Sequence, residues 1–230
     1  MVNLNEYQIL LSIDDWDRLG RVLGDNIYNL GFEETQNKYD LLEMVNGKYS
    51  VDHWKNEFNY KLAAISINYG YMYTYFEKLE GYDIYKEKDK DKIAYHFWFS
   101  YETESLLARL FTLVDNLYHI INIKYELEVQ EGIKFRPQLV EKLTSKNKIL
   151  AQYLNNLIHD KRYKDVQKIR NDFTHNHSPL NLTSGIKRER NGGFWTMSKG
   201  EYIKPEMVLK YVDDFICLLN ELTTECKKYI

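Results

Sequence analysis

A guanidinium, an amide and an imidazole fall within six positions of one another at Arg170, Asn171 and His175. A guanidinium is always charged and presents a planar fork of donors that matches phosphate oxygens. An imidazole exchanges a proton near neutral pH. Together they suit acid–base chemistry at a phosphodiester with no need for a metal. Asn171 and His175 are i and i+4 neighbours on a helix, and Arg170 lies one position around from Asn171. At a helix C-terminus the dipole favours an imidazolium, which suits His175 to proton transfer. His177 is a second, supporting imidazole. His175 and His177 have no convincing third ligand, so neither a zinc site nor a cofactor is expected.

The element that must position these groups is Lys161–Pro179. Tyr163, Val166, Ile169 and Phe173 recur at spacings of three and four, the mark of a short amphipathic helix. Ser178-Pro179 stops it, because proline lacks the helical donor and restricts the residue before it. Between His159 and Arg190 eight Lys/Arg stand against four Asp/Glu, although the whole chain carries a net charge of −3. Lys161, Arg162, Lys164 and Lys168, with Lys187, Arg188 and Arg190 beyond the proline, are therefore candidate contacts to RNA phosphates.

The run R-N-D-F-T-H resembles the R-x4-6-H motif, with a polar residue after the arginine, of the HEPN superfamily (higher eukaryotes and prokaryotes nucleotide-binding). The resemblance implies an all-α, up-and-down bundle and a metal-independent endoribonuclease acting as a homodimer in the cytoplasm. Such an enzyme often belongs to a toxin or defence system with its own protein partner. Arg170, Asn171 and His175 would be its catalytic residues, and the product would carry a 2′,3′-cyclic phosphate. Asp115, on an upstream helix, would face and orient Arg170; the other reading of Asp115 is a satisfied internal hydrogen-bond pair. A competing reading of the whole chain is a non-catalytic module that binds a nucleotide or nucleic acid, or another protein.

Composition agrees with a globular helical protein. The chain has 230 residues, 44% hydrophobic and 28% charged, with three prolines and eleven glycines. Twenty tyrosines suit half-buried helix faces, and abundant Lys, Asn, Ile and Tyr suggest an AT-rich bacterial genome. The first residues lack a basic region with a cleavage site, and Leu106–Ile123 is interrupted by Arg109, Asp115 and His119. Neither a signal peptide nor a membrane span is read there. Cys217 and Cys226 point to opposite sides of one helix, which excludes a bridge within it.

The pattern predicts an α-helical extension over 1–49 and a bundle over 50–230. Ile13 to Leu30 forms one amphipathic helix and Glu33–Asn46 another. Ser50 caps a helix running to about Gly81, in which Tyr71, Tyr73 and Tyr75 form a second packing face or, less plainly, a base-stacking platform. A very long helix spans Asp89 to Glu128, and another runs from Arg136-Pro137 to Ile158. Asn191-Gly192-Gly193 predicts a small β-hairpin before a last helix that begins at Pro205. No phosphate-binding glycine loop, nucleophile elbow or zincin motif occurs.

Overall fold

The computed structural model describes residues 4–33, 50–175, 178–181, 184–188, 195–199 and 202–230. A 3-10 turn at Leu4–Tyr7 precedes helices α1 (Ile13–Tyr28), α2 (Val51–Glu77), α3 (Lys90–Lys124), α4 (Phe135–Lys146), α5 (Lys148–Leu157), α6 (Lys161–His175) and α7 (Pro205–Lys227). Between α6 and α7 two strands, β1 (Ser184–Arg188) and β2 (Trp195–Lys199), pair antiparallel, with Ser184 opposite Lys199 and Arg188 opposite Trp195. The expected helix at Glu33–Asn46, the Asn191-Gly192-Gly193 turn, Arg190 and His177 lie outside the described residues.

The architecture is a helical bundle. Helices α2 and α3 form its long antiparallel pair: Tyr75 stacks on Trp98, Asn68 meets Glu102, Lys61 meets Asn116, and Trp54 stacks on His119. The helix ends follow local chemistry. Ser50 Oγ accepts the His53 N–H, Asp89 accepts that of Asp91, and Gly81 takes the left-handed φ of +70° that closes the turn beyond α2. The tyrosines off the main α2 stripe serve packing. Tyr75 is buried, and Tyr71 and Tyr73 lie half-buried against the core. Between α3, α6 and α7 the rings of Phe111, Tyr163 and Phe215 meet at centroid distances of 5.3–5.9 Å. Burying each such ring contributes roughly 1.5–3 kcal/mol, and this cluster fixes the start of α6 against the bundle.

Two boundaries differ from expectation. Helix α3 ends at Lys124 because Glu126 and Glu128 take positive φ values of 50° and 51°. The Asn122 side chain holds that loop by bonding both the N–H and the carbonyl of Val129. The helix expected over 136–158 is two helices, broken at Asn147. Its amide Oδ1 accepts the Leu150 N–H to cap α5, while its Nδ2 donates to Tyr125 Oη. A tertiary bond thereby turns a continuous apolar pattern into a corner. Among the described residues no helix is long and apolar enough to cross a membrane.

Candidate functional site

The last two turns of α6 carry the motif. Val166 and Ile169 are buried, so the register of the helix against α3 and α7 is fixed. That leaves Lys164, Lys168, Asn171 and His175, at i, i+4, i+7 and i+11, along the outward face. His175 is the final residue of the helix and is exposed, as are the two lysines.

Arg170 sits at the edge of the buried face. Its guanidinium carbon stands 5.4 Å from the centre of the Phe111 ring, and Nη1 donates to Asn171 Oδ1 at 3.0 Å. The cation is thus held from two sides: an aromatic face on α3 and the amide of the next residue. Thr174 Oγ1 donates to the Arg170 carbonyl, satisfying one acceptor near the helix end.

Asp115 does not hold Arg170. Its Oδ1 accepts from Arg136 Nε at 2.8 Å and pairs with Nη2 2.7 Å away, and Arg136 Nη1 donates on to Tyr163 Oη. Asp115 lies one turn beyond Phe111 on α3, where the start of α4 brings Arg136 to it. Asp115 is thus paired, but with Arg136 and with its side chain 46% exposed rather than internal. One turn further along α3, His119 serves packing, sandwiched between Trp54 at 4.3 Å and Phe135 at 4.7 Å, with Glu131 3.8 Å from Nε2. Burial lowers the His119 pKa.

The basic residues separate into two groups. Arg162 is committed to structure. It donates to both carboxylate oxygens of Glu221 at 2.7 and 2.8 Å, and to Asp160, so it fastens α6 to α7. These hydrogen bonds hold the carboxyls of Asp160 and Glu221 below their ordinary range. Arg162 is therefore corrected from a phosphate contact to an interhelical clamp. Lys161 is exposed and lies 3.6 Å from Asp165, while Lys164 and Lys168 line the outward face. Lys187 and Arg188 fall on strand β1.

Sequence reasoning missed two features beside the motif. Lys168 shares a cavity of about 400 Å³ with Tyr202, Lys204 and Tyr211. His96 lies buried on α3 and lines a second cavity with Ser178, three residues beyond His175. A signal for the second existed: His96 falls in register with the apolar positions Phe99, Leu106 and Leu110, where an imidazole needs a reason. Among the described residues no group of three or more His, Cys, Asp or Glu side chains could hold a metal ion.

Residues 54–229 match the family of Cthe2314-like HEPN domains, which takes in α2 to α7 and the whole motif helix. Neither the curated proteins nor the solved structures contain a match. Because the match spans most of the chain and includes Arg170, Asn171 and His175, this protein belongs to the HEPN superfamily.

Proposed function

We propose that this HEPN protein is a metal-independent endoribonuclease whose reacting groups are Arg170 and His175. The observation that carries the reading is the way Arg170 is held. Its guanidinium is fixed by Phe111 and Asn171 on the helix whose exposed last residue is His175. A cation ordered before substrate arrives suits charge that grows in a transition state. His175 takes the proton of a ribose 2′-OH, the 2′-oxygen bonds to phosphorus, and the bond from phosphorus to the 5′-oxygen breaks. Arg170 meets the added charge on the pentacoordinate phosphate, and Asn171 keeps its fork in place. The leaving oxygen gains its proton from a second acid, His175 of another copy, so the active form is a homodimer. The product ends in a 2′,3′-cyclic phosphate. An enzyme of this kind in the cytoplasm needs restraint, which fits an antitoxin or defence partner.

The test is cleavage of RNA by the purified full chain in EDTA, with His175→Ala and Arg170→Ala alongside. Losing the acid–base group is expected to slow cleavage by about 100-fold or more. Equal cleavage by wild type and both variants, or none by any of them, would overturn the reading. A second reading, nucleotide binding without chemistry, draws on the cavity where Lys168 and Lys204 stand beside Tyr202 and Tyr211. It predicts a thermal shift with mononucleotides in a protein that leaves RNA intact.

A further inference from the structure

Beside the end of α6 lies a cavity of about 380 Å³, walled by α3, the turn after α2 and the segment that follows the motif helix. Phe97 and Tyr101, i and i+4 on α3, are 44% and 53% exposed, so two aromatic side chains flank it without being consumed by the core. Ser100 and Ser178 bring their hydroxyl oxygens within 3.4 Å of each other across it. His96 lines it from within. Its ring is only 4% exposed and stacks on Tyr82 at 4.7 Å, and its buried Nε2 has no hydrogen-bond partner among the described residues. Buried polar atoms are nearly always paired, so this nitrogen lacks the usual compensation, and the ring that carries it lines a cavity open to a ligand.

We propose that this cavity is a nucleobase subsite, which takes one unpaired base of the RNA strand whose neighbouring phosphate lies at the end of α6. The proposal rests on the ribonuclease reading for the identity of the strand. Its chemistry excludes an anion as the buried group: no Lys or Arg is found among the described residues that line the cavity, and Glu104 stands at its rim. What fits is flat, uncharged and edged with donors and acceptors. Burial pushes His96 down to about 4, so its ring is neutral and offers one N–H and one lone pair. Glu104 accepts from a ring N–H or amino group, and the serines serve either role. Aromatic faces with a few convergent polar groups are how unpaired bases are held. The charge of the strand is met next door. Tyr202, whose ring lies 6.4 Å from that of His96, also lines the cavity that holds Lys168 and Lys204.

The experiment measures anisotropy of labelled single-stranded RNA octamers (A8, C8, U8 and a mixed sequence containing one G) in EDTA. The protein is the full chain carrying His175→Ala, so that no substrate is consumed. The expected result is a preference of about tenfold or more for one base over the others. His96→Phe keeps the ring stack, removes both nitrogens, and should abolish that preference. Tyr101→Ala changes an exposed side chain and Ser100→Leu fills the space, so these two keep the test alive if His96→Phe fails to fold. A preference that survives in folded variants overturns the subsite, as does indifference to base or absence of binding. Cleavage is read separately. A chain that leaves RNA intact in EDTA yet loses base preference with these variants keeps the subsite and loses the ribonuclease reading. A chain that cuts RNA but has no pocket-dependent preference does the reverse.

Discussion

Arg162 and Arg170 lie eight residues apart on one helix, and only their surroundings separate a clamp from the proposed reacting group. Two carboxylates already neutralise Arg162, whereas among the described residues Arg170 meets an aromatic face and an amide, neither of which cancels its charge. A cation without a carboxylate keeps its full charge for a phosphate. Histidines divide in the same way, since His175 is exposed while His96 is buried. The second has a consequence for stability. With the folded pKa of His96 lowered from 6.5 to about 4, the unfolded chain takes up the proton first as pH falls. The contribution is therefore intact above about pH 6.5 and is lost progressively towards pH 4, by at most about 3 kcal/mol. His119 shares that sign, while Asp213 and Glu102, raised by burial, oppose it. Urea unfolding at pH 7 and pH 5 should show a larger loss for wild type than for His96→Phe. Matching losses would mean that His96 does not titrate between the two states.

At the scale of elements, the contact of α1 with the bundle depends on a missing side chain. A Cβ at Gly70 in α2 would lie 2.8 Å from Trp16 Cζ3 and 3.2 Å from Leu19 Cδ1. Glycine inside a helix is ordinarily a weakness, and alanine there would gain about 1 kcal/mol in propensity. Here overpacking against the Trp16 ring outweighs that gain, at about 1–3 kcal/mol. Gly70→Ala should therefore lower the midpoint of thermal unfolding and shift tryptophan fluorescence as α1 is displaced. A raised midpoint would show that α1 gives way without cost. Other contacts hold α1 in place: Arg18 Nη1 donates to both carboxylate oxygens of Glu77 at 2.7 Å, and Ser12 and Asp15 bond reciprocally at its start. None of these lies near the motif, so the variant should retain RNA binding once folded.

At the scale of the molecule, one chain presents one His175, and general acid–base cleavage at phosphorus uses two proton-transfer groups. In the proposed homodimer, a two-fold arrangement in which the α6 ends meet would supply the second and join two basic faces into one groove. Sedimentation at micromolar concentration should then give a species of twice the 27.6 kDa chain mass. A stable pairing of this kind buries about 1,000 Å² or more. A single 27.6 kDa species that still cleaves RNA would remove the shared site and require both proton transfers within one chain. The acidic total of the chain makes the groove dependent on local charge, so RNA affinity should fall with added salt.

Helices α1, α2, α3, α6 and α7, their order and the motif were legible in the sequence because each rests on local physics. The spacing of Tyr163, Val166 and Ile169, the cap at Ser50 and the proline at the start of α7 depend only on neighbours in the chain. Partnerships across the bundle were not legible, since they depend on which residues folding brings together. Asp115 could have met any cation; the corner after α3 delivers Arg136 to it, and Phe111 receives Arg170 instead. The break at Asn147 carries no glycine or proline to announce it and arises from Tyr125, 22 residues away. The burial of His96 Nε2, unpaired among the described residues, likewise exists only once folding stacks Tyr82 on its ring. Local periodicity determined which residues face inward, and the tertiary structure alone decided what each inward or half-buried polar group would find there.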